Sequence, residues 1–300
     1  HLADEDVANS GTAYVLFGNP VQRFADVDLL SFVSGNNVGF RIIGSSTAMK
    51  LGRSVSAAGD VNGDGYDDIL IGANPTAVGN FGFACVVFGH SPSTPFVDVP
   101  MSEDFYGFRI NGAETNDGLG FSVSGAGDFN GDGYDDIVIG ALRGGVQPIR
   151  ASAGMAYVLF GHSNATAFDD VDLRTFVSNN TAGFKISGAI AADQSGRVVQ
   201  SAGDVNGDGL DDIMVSATHA AKTTTILQAG VVYVIFGRVN VTDIDLLDFS
   251  SSAQSGFKIF GPGADNYAGW ALASADFNHD TIPDIMLTLN GAAPFSRTSA

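Results

Sequence analysis

Four short acidic segments carry the residues in this chain whose types and spacing could do chemistry. Each is nine residues long and places oxygen-bearing side chains at positions 1, 3, 5 and 9, around a turn. The segments run from Asp60 to Asp68, Asp128 to Asp136, Asp204 to Asp212 and Asp276 to Asp284. Hard divalent cations such as Ca²⁺ take about 6–8 oxygen ligands from carboxylates, amides, carbonyls and water. Four such loops, recurring roughly every 70 residues, predict a calcium-binding repeat protein.

Within each loop, we assign the side chains at positions 1, 3, 5 and 9 and the backbone carbonyl of position 7 as calcium ligands. These donors supply most of an oxygen shell and leave no open position for catalysis, so the ion is expected to be structural. The assigned ligands are Asp60, Asn62, Asp64, Tyr66 and Asp68; Asp128, Asn130, Asp132, Tyr134 and Asp136; Asp204, Asn206, Asp208, Leu210 and Asp212; and Asp276, Asn278, Asp280, Ile282 and Asp284.

The fourth loop departs from the other three in its turn residues. His279 and Thr281 replace two glycines, and Pro283 replaces the acid at position 8. Position 6 commonly needs a positive φ, which a β-branched residue resists. We therefore expect the weakest binding there and three to four ions in total. The other loops carry acids at position 8 that are expected to be solvated or to cap strands: Asp67, Asp135 and Asp211.

The same spacing opens an EF-hand loop, so that alternative needs a separate test. An EF-hand requires an acidic ligand at position 12, and a helix follows it. Position 12 is apolar in all four loops of this chain, where it is occupied by Ile71, Ile139, Val215 and Leu287. The EF-hand interpretation is therefore rejected.

Composition excludes several classes of partner. The formal net charge is −19, from 14 Lys and Arg against 33 Asp and Glu, and no basic cluster is present. Nucleic acid is therefore not an expected partner. Insertion into a membrane is not expected either, because no apolar run approaches the roughly 20 residues needed. Carboxylates crowded into short loops repel one another without metal, so folding should be linked to calcium.

Several weaker signs favour an extracellular location. Three tripeptides match the acceptor sequence for N-glycosylation, at Asn164, Asn179 and Asn240. The chain opens at His1 without a signal peptide, as expected for a mature, processed protein. Cys85 is the single cysteine, so no disulfide can form within the chain, and we interpret it as a buried packing residue.

Aligned on the loops, each repeat contains four short segments with the character of strands. In the second repeat they start near Phe121, Asp136, Met155 and Gly183, and each is bounded by Gly, Asn or Ser. The third segment is continuously apolar, as expected for a strand buried on both faces. Helical periodicity is weak throughout, although the stretch from Asp26 to Phe32 and its counterparts could form single turns.

Four strands in each repeat indicate an all-β fold, a β-propeller whose blades pack around an axis. We expect one domain over 1–300, with blades near 52–112, 120–188 and 196–261. The fourth blade, 269–290, would be completed by the third- and fourth-strand segments within 11–44. Joining these halves would close a four-bladed ring without an open edge. The alternative is that the chain is part of a larger propeller.

These residues resemble the FG-GAP repeat. The resemblance is carried by Leu51-Gly52 and Leu119-Gly120, by the Asp-Val-Asn-Gly-Asp-Gly loop, and by the trailing Gly72-Ala73 and Gly140-Ala141. FG-GAP repeats build the N-terminal propeller of integrin α subunits, and the resemblance implies a Ca²⁺ between the first two strands of each blade. Integrin propellers have seven blades, more than this chain can supply.

Function is less sharply defined than fold. We expect a non-enzymatic, extracellular calcium-binding propeller that serves adhesion, protein interaction or surface assembly. A protein or glycan ligand would bind one face, and the variable linkers at 74–80, 142–153 and 218–228 are candidates. The alternatives are a carbohydrate-binding, lectin-like propeller and an accessory domain of a secreted hydrolase or lyase. Trp270 is expected in the core or between blades.

Overall fold

The computed structural model describes residues 10–18, 26–35, 38–46, 49–74, 81–101, 104–145, 149–163 and 168–291. Regular structure in these ranges is β, apart from the 3₁₀ turn Leu29–Ser31. In this part of the chain, no helix is long and apolar enough to cross a membrane. The strands are β1 (Thr12–Leu16), β2 (Gly39–Ile43), β3 (Leu51–Gly59), β4 (Asp68–Ala73), β5 (Phe81–Val87), β6 (Val99–Pro100), β7 (Gly107–Thr115), β8 (Leu119–Gly127), β9 (Asp136–Ala141), β10 (Met155–Leu159), β11 (Val171–Asp172), β12 (Gly183–Ser187), β13 (Ser195–Gly203), β14 (Asp212–Ala217), β15 (Val231–Ile235), β16 (Ile244–Asp245), β17 (Gly256–Phe260), β18 (Ala268–Ala275) and β19 (Asp284–Leu289).

Three sheets each contain a four-stranded antiparallel blade whose strands follow the order of the chain. The blades are β3-β4-β5-β7, β8-β9-β10-β12 and β13-β14-β15-β17. An acidic loop connects the first strand to the second in every blade, where Gly59 pairs with Asp68 and Gly127 pairs with Asp136. Every residue of β9, β14 and β15 is buried, as the apolar segments predict.

The outer edge of each blade is joined by a short strand of the following blade, which lies between the third and fourth strands of that blade. The short strands β6, β11 and β16 pair in parallel with β2, β7 and β12. An aspartate just before each short strand also accepts a backbone hydrogen bond from the outer strand. These bonds run from Arg41 N to Asp98 (2.9 Å), from Arg109 N to Asp170 (2.7 Å) and from Lys185 N to Asp243 (2.9 Å). Neighbouring blades are therefore linked by their backbones as well as by packing.

The hydrophobic core lies between successive sheets. One cluster joins Phe129 and Phe184 of the second blade to Val215 and Ile235 of the third. Burying apolar area in this way contributes roughly 25 cal/mol per Å², and a single blade cannot bury both of its faces alone.

The sequence predicts how Cys85 and Trp270 pack, and the structure buries the first but leaves the second partly exposed. Cys85 is fully buried, and burial raises the pKa of its thiol to about 12, which confirms that it is a packing residue. Trp270 is 37% exposed and so does not lie in the core, but it packs against Arg197 of the neighbouring sheet, as the predicted position between blades requires.

The two incomplete blades form separate sheets. Strand β2 pairs with β1 on one side and with β6 on the other, whereas β18 and β19 form a two-stranded sheet of their own. Every β19 residue is at least partly exposed, unlike its counterparts in β9. Beside β1, a cavity of about 1430 Å³ lies between the first sheet and the first complete blade. Strands β1 and β19 are therefore not paired, and closure of a four-bladed ring is not observed.

Cysteine pairs can test this arrangement. Tyr14 and Leu287 align with Tyr157 and Ile139, which face each other in the second blade. Because β1 and β19 lie in separate sheets, we expect the variant Tyr14→Cys with Leu287→Cys to remain reduced, as measured by thiol titration and mass spectrometry.

The control for this measurement needs one substitution, because Ile71 lies directly opposite Cys85 in the first blade. Ile71→Cys should form a disulfide with Cys85, since facing residues lie within the range of Cα separations that a disulfide spans. An intramolecular disulfide between positions 14 and 287 would instead demonstrate ring closure.

Candidate metal centres

The backbone of each acidic loop turns sharply between its first two strands. Gly63 and Gly65 have φ values of 70° and 86°, and the glycines of the next two loops repeat this conformation. In the fourth loop, His279 and Thr281 are held at φ values of 62° and 75°. The β-branched Thr281 therefore occupies the strained conformation that the sequence predicts for this position. A strand follows every loop, in agreement with the rejection of an EF-hand.

Side-chain oxygens hold the loop by accepting backbone N–H groups. In the first loop, Asp60 Oδ1 and Oδ2 accept from the N–H groups of Asp64 (3.0 Å) and Gly65 (2.8 Å). Asn62 Oδ1 also accepts from Asp64 N (2.8 Å), and Asp64 Oδ1 accepts from Tyr66 N (3.0 Å). All four loops repeat this pattern; in the fourth, Asp276 Oδ2 accepts from Thr281 N (2.9 Å). The predicted ligands are therefore ordered around one turn.

The ninth residue ties each loop to the rest of its blade. Asp136 is fully buried; its Oδ2 accepts from Phe129 N (3.0 Å) and its Oδ1 from Gly161 N (2.9 Å), beyond the third strand. Asp68 and Asp212 make the equivalent pairs of bonds. The spacing of the loop did not predict the second donor. The sequence feature that could have identified this donor is the Phe-Gly pair that recurs after the third strand. Asp284 shows only the bond from Phe277 N (2.8 Å).

Burial makes these ninth-position carboxylates costly to ionise. Burial raises the pKa of Asp136 to about 8, of Asp68 to about 7 and of Asp212 to about 6. Backbone N–H groups counteract this shift, while the carboxylates at positions 1 and 5 of the same loop add to it. A nearby cation would favour the ionised form.

The donor set fits calcium by its chemistry. Asp and Asn side chains and backbone carbonyls are hard oxygen donors, which suit Ca²⁺ rather than thiolate-binding metals. Within the described ranges, however, no three His, Cys, Asp or Glu side chains converge into a metal-binding cluster. The loop oxygens instead contact backbone N–H groups, and Asn62 Nδ2 donates to Asp64 Oδ2 (3.2 Å). Each carboxylate keeps further lone pairs that could bind an ion.

The acid at position 8 connects one loop to the loop before it. Asp135 Oδ2 accepts from Asp60 N (2.7 Å), and Asp135 N donates to Asp60 O (3.3 Å). Asp211 makes the same two bonds to Asp128, at 3.0 and 3.2 Å. Gly59 has a φ of 75°, and a Cβ there would lie 2.2 Å from Asp135 Oδ2, so only glycine fits. Position 8 therefore fixes the first predicted ligand of the preceding loop.

At both ends of the series, this connection is missing. Pro283 has neither a carboxylate nor an N–H with which to bind Asp204. Asp67 is exposed and borders the cavity beside β1. The sequence expectation of a solvated or strand-capping acid thus fits Asp67, whereas Asp135 and Asp211 cap a neighbouring loop.

Two of the three glycosylation sequons lie in the described residues. Asn179 is exposed, and its Oδ1 accepts from the backbone N–H groups of Thr181 (2.9 Å) and Ala182 (2.9 Å). Asn240 is also exposed, and its Oδ1 accepts from Asn180 Nδ2 (3.3 Å). Asn164 lies outside the described residues.

A matched pair of variants tests the connection between loops. Asp135→Ala removes a charged acceptor bound to Asp60 N and should lower the free energy of unfolding by about 1–2 kcal/mol. Asp67→Ala removes the same charge from the same loop position without losing such a bond, so its effect should stay within about 0.5 kcal/mol. Urea unfolding measures both; equal losses would contradict a specific role for Asp135.

Comparison with known proteins agrees with this geometry. The FG-GAP repeat family matches residues 51–82, 119–159 and 195–235, one range in each complete blade. Phosphatidylinositol-glycan-specific phospholipase D of Bos taurus is 30% identical over 171 residues, 56% of this chain and 18% of the relative. Integrin alpha pat-2 of Caenorhabditis elegans is 32% identical over 108 residues, 35% of this chain and 8% of the relative. Integrin alpha-IIb of Mus musculus is 25% identical over 184 residues, 61% of this chain and 16% of the relative.

Three matches to the FG-GAP repeat, one in each complete blade, and the likeness to integrin α chains support an integrin-α-like domain with an all-β fold of the propeller type. The chain spans less than a fifth of the length of these three relatives. The fourth acidic loop lies outside the ranges that the family matches.

Proposed function

We propose that this chain is an extracellular interaction module whose FG-GAP blades are stabilised by calcium. It would serve adhesion or surface assembly. The observation that carries the proposal is the repeated loop, in which ordered oxygens surround one turn and a buried ninth carboxylate joins two strands. FG-GAP relatives include integrin α chains, which supports an extracellular setting. The exposed sequons at Asn179 and Asn240 would then be available for glycosylation.

Calcium would occupy three to four loops. In each, the side chains at positions 1, 3, 5 and 9 and the carbonyl at position 7 would hold it. The ion would be a cationic partner for the buried carboxylate of Asp136 and for its counterparts. It would also hold each loop in the conformation that binds the position-8 acid of the following loop. Asp284 is only half-buried and Thr281 is strained, so the fourth loop would bind most weakly.

The chain would form one domain over 1–300, with complete blades near 52–112, 120–188 and 196–261. Strands β1 and β2 lack the inner two strands of a blade, and β18 and β19 lack the outer two. The cavity beside β1 lies where those missing strands pack in complete blades. Strands of the FG-GAP type, from 269–290 or from outside this chain, would complete the first sheet.

A second candidate role is an accessory module of a secreted hydrolase. It is favoured by the likeness to phosphatidylinositol-glycan-specific phospholipase D, which covers 56% of this chain. In either role we propose no catalytic residue in this chain. A glycan array with and without chelator would separate a lectin-like propeller from a protein-binding one, since only the former would show calcium-dependent binding to sugars.

Metal content and stability test the proposal together. We expect three to four Ca²⁺ per chain by elemental analysis, and a large fall in melting temperature on chelation. An ion present at 1,000 times its Kd stabilises by about 4 kcal/mol. Asp136→Asn should lose one ion, whereas Asp67→Ala should keep all of them. Material without alkaline-earth metal, and with a melting curve that chelator leaves unchanged, would refute structural calcium.

A further inference from the structure

One residue in each of four successive sheets forms a stacked row at the start of the innermost strand. These residues directly follow a repeated glycine and are Arg53, Phe121, Arg197 and Trp270. The guanidinium of Arg53 lies 3.9 Å from the centre of the Phe121 ring, and that of Arg197 lies 5.6 Å from the same ring. Arg197 also lies 4.1 Å from the ring centre of Trp270. Cations and aromatic rings therefore alternate; we name these four residues the arginine–aromatic row.

The row lies at the end of the blades opposite the acidic loops. Arg53 is near the Leu51–Ala73 pair, whereas the loop begins beyond the Gly59–Asp68 pair at the other end of the same strands. Arg143 follows β9 at this end, within the linker 142–153. His219, in the linker 218–228, contacts Tyr267, which contacts Trp270. Two of the linkers that the sequence singled out for partner binding thus border the row.

Among the described residues, Arg53, Arg143 and Arg197 form no ion pair with a carboxylate. Four outer arginines each pair with a carboxylate: Arg41 with Asp98, Arg109 with Asp170, Arg150 with Asp245 and Arg174 with Asp172. By contrast, Arg197 donates to the neutral amide of Gln194 (2.9 Å). Arg53 and Arg143 have no hydrogen bond or ion pair from their side chains to described residues.

This concentration of positive charge is unfavourable in the free protein. Partial burial, and then the nearby guanidiniums of Arg53 and Arg143, lower the pKa of Arg197. The chain has 33 acidic residues available as partners for 14 Lys and Arg, yet none pairs with these three within the described residues. An arginine stacked on a ring still presents its N–H edge for bidentate binding of a carboxylate.

We propose that the arginine–aromatic row, together with Arg143, binds a carboxylate on a protein partner, flanked by apolar side chains. The guanidiniums would bind the carboxylate, and the partly exposed side chains of Phe121 and Trp270 would contact its apolar neighbours. A net charge of −19 opposes long-range approach of a polyanion such as a sulfated glycan or a nucleic acid. A short peptide with one acidic residue avoids most of this repulsion. This inference names the partner chemistry of the proposed interaction module.

The single tryptophan makes the row directly observable, because Trp270 is the only source of tryptophan fluorescence. The probe is the capped tripeptide acetyl-Phe-Asp-Phe-amide, and its control is the uncharged acetyl-Phe-Asn-Phe-amide. We expect the Asp peptide to change Trp270 emission and to bind at least fivefold more tightly than the Asn peptide. Calorimetry provides a second readout, and added salt should weaken only the Asp peptide.

Variants then locate the binding. Arg197→Gln and Arg53→Gln should each weaken the Asp peptide about fivefold or more by calorimetry. Lys258→Gln is the matched control, because Lys258 also lies over aromatic rings but on the outer strand β17. Melting curves check that each variant folds, and the two arginine variants report independently.

Several results would overturn the proposal. They are equal affinity for the two peptides, no binding of either at millimolar concentration, an equal loss in Lys258→Gln, or tighter binding of heparin than of the Asp peptide. Calcium content is measured on the same samples. An absence of bound calcium in these samples would refute the proposed structural role of the loops. Equal binding of the Asp and Asn peptides by calcium-loaded protein would refute only the proposed role of the arginine–aromatic row.

Discussion

The buried carboxylate at the ninth loop position is the interaction on which the rest of this structure depends. Asp136 accepts one backbone N–H from its own loop and another from beyond the third strand, so one side chain joins three strands of a blade. An ionised group is costly in that setting unless hydrogen bonds or a cation offset its desolvation. The need to satisfy this carboxylate explains why acidic loops accompany every blade of a largely apolar fold.

Neighbouring blades are joined by polar contacts near the acidic loops and at the outer edge of the sheets. Apolar side chains pack between successive sheets. Near the loops, Asp135 and Asp211 accept N–H groups from the preceding blade. At the outer edge, short parallel strands and aspartates such as Asp170 bind the preceding blade again. These bonds recur with the repeat, since the same position of one blade binds the same position of the preceding blade each time. The series is interrupted where Pro283 replaces the acid, and the last hairpin, which lacks the two outer strands of a blade, is also more exposed than its counterparts.

The two ends of the blades have opposite electrostatic character. Carboxylates crowd the loop end, where an ion would neutralise them, whereas Arg53, Arg143 and Arg197 gather at the other end without a carboxylate partner among the described residues. Because strands of nine residues separate the carboxylates from the guanidiniums, the two ends can serve different roles. Under the two proposals made above, the loop end would serve stability and the arginine end would serve partner recognition. Such a division agrees with variable linkers at the latter and invariant spacing at the former.

The sequence alone determined the acidic loops, the strand segments, the rejection of an EF-hand and the FG-GAP resemblance, because these depend on spacing within a few residues. Tertiary structure decided the contacts between residues far apart in the chain, such as Asp135 with Asp60 and Arg53 with Phe121. It also left β1 and β19 in separate sheets, although their sequences are complementary. Local spacing fixes backbone turns and alternation, whereas packing between sheets decides which equivalent positions meet.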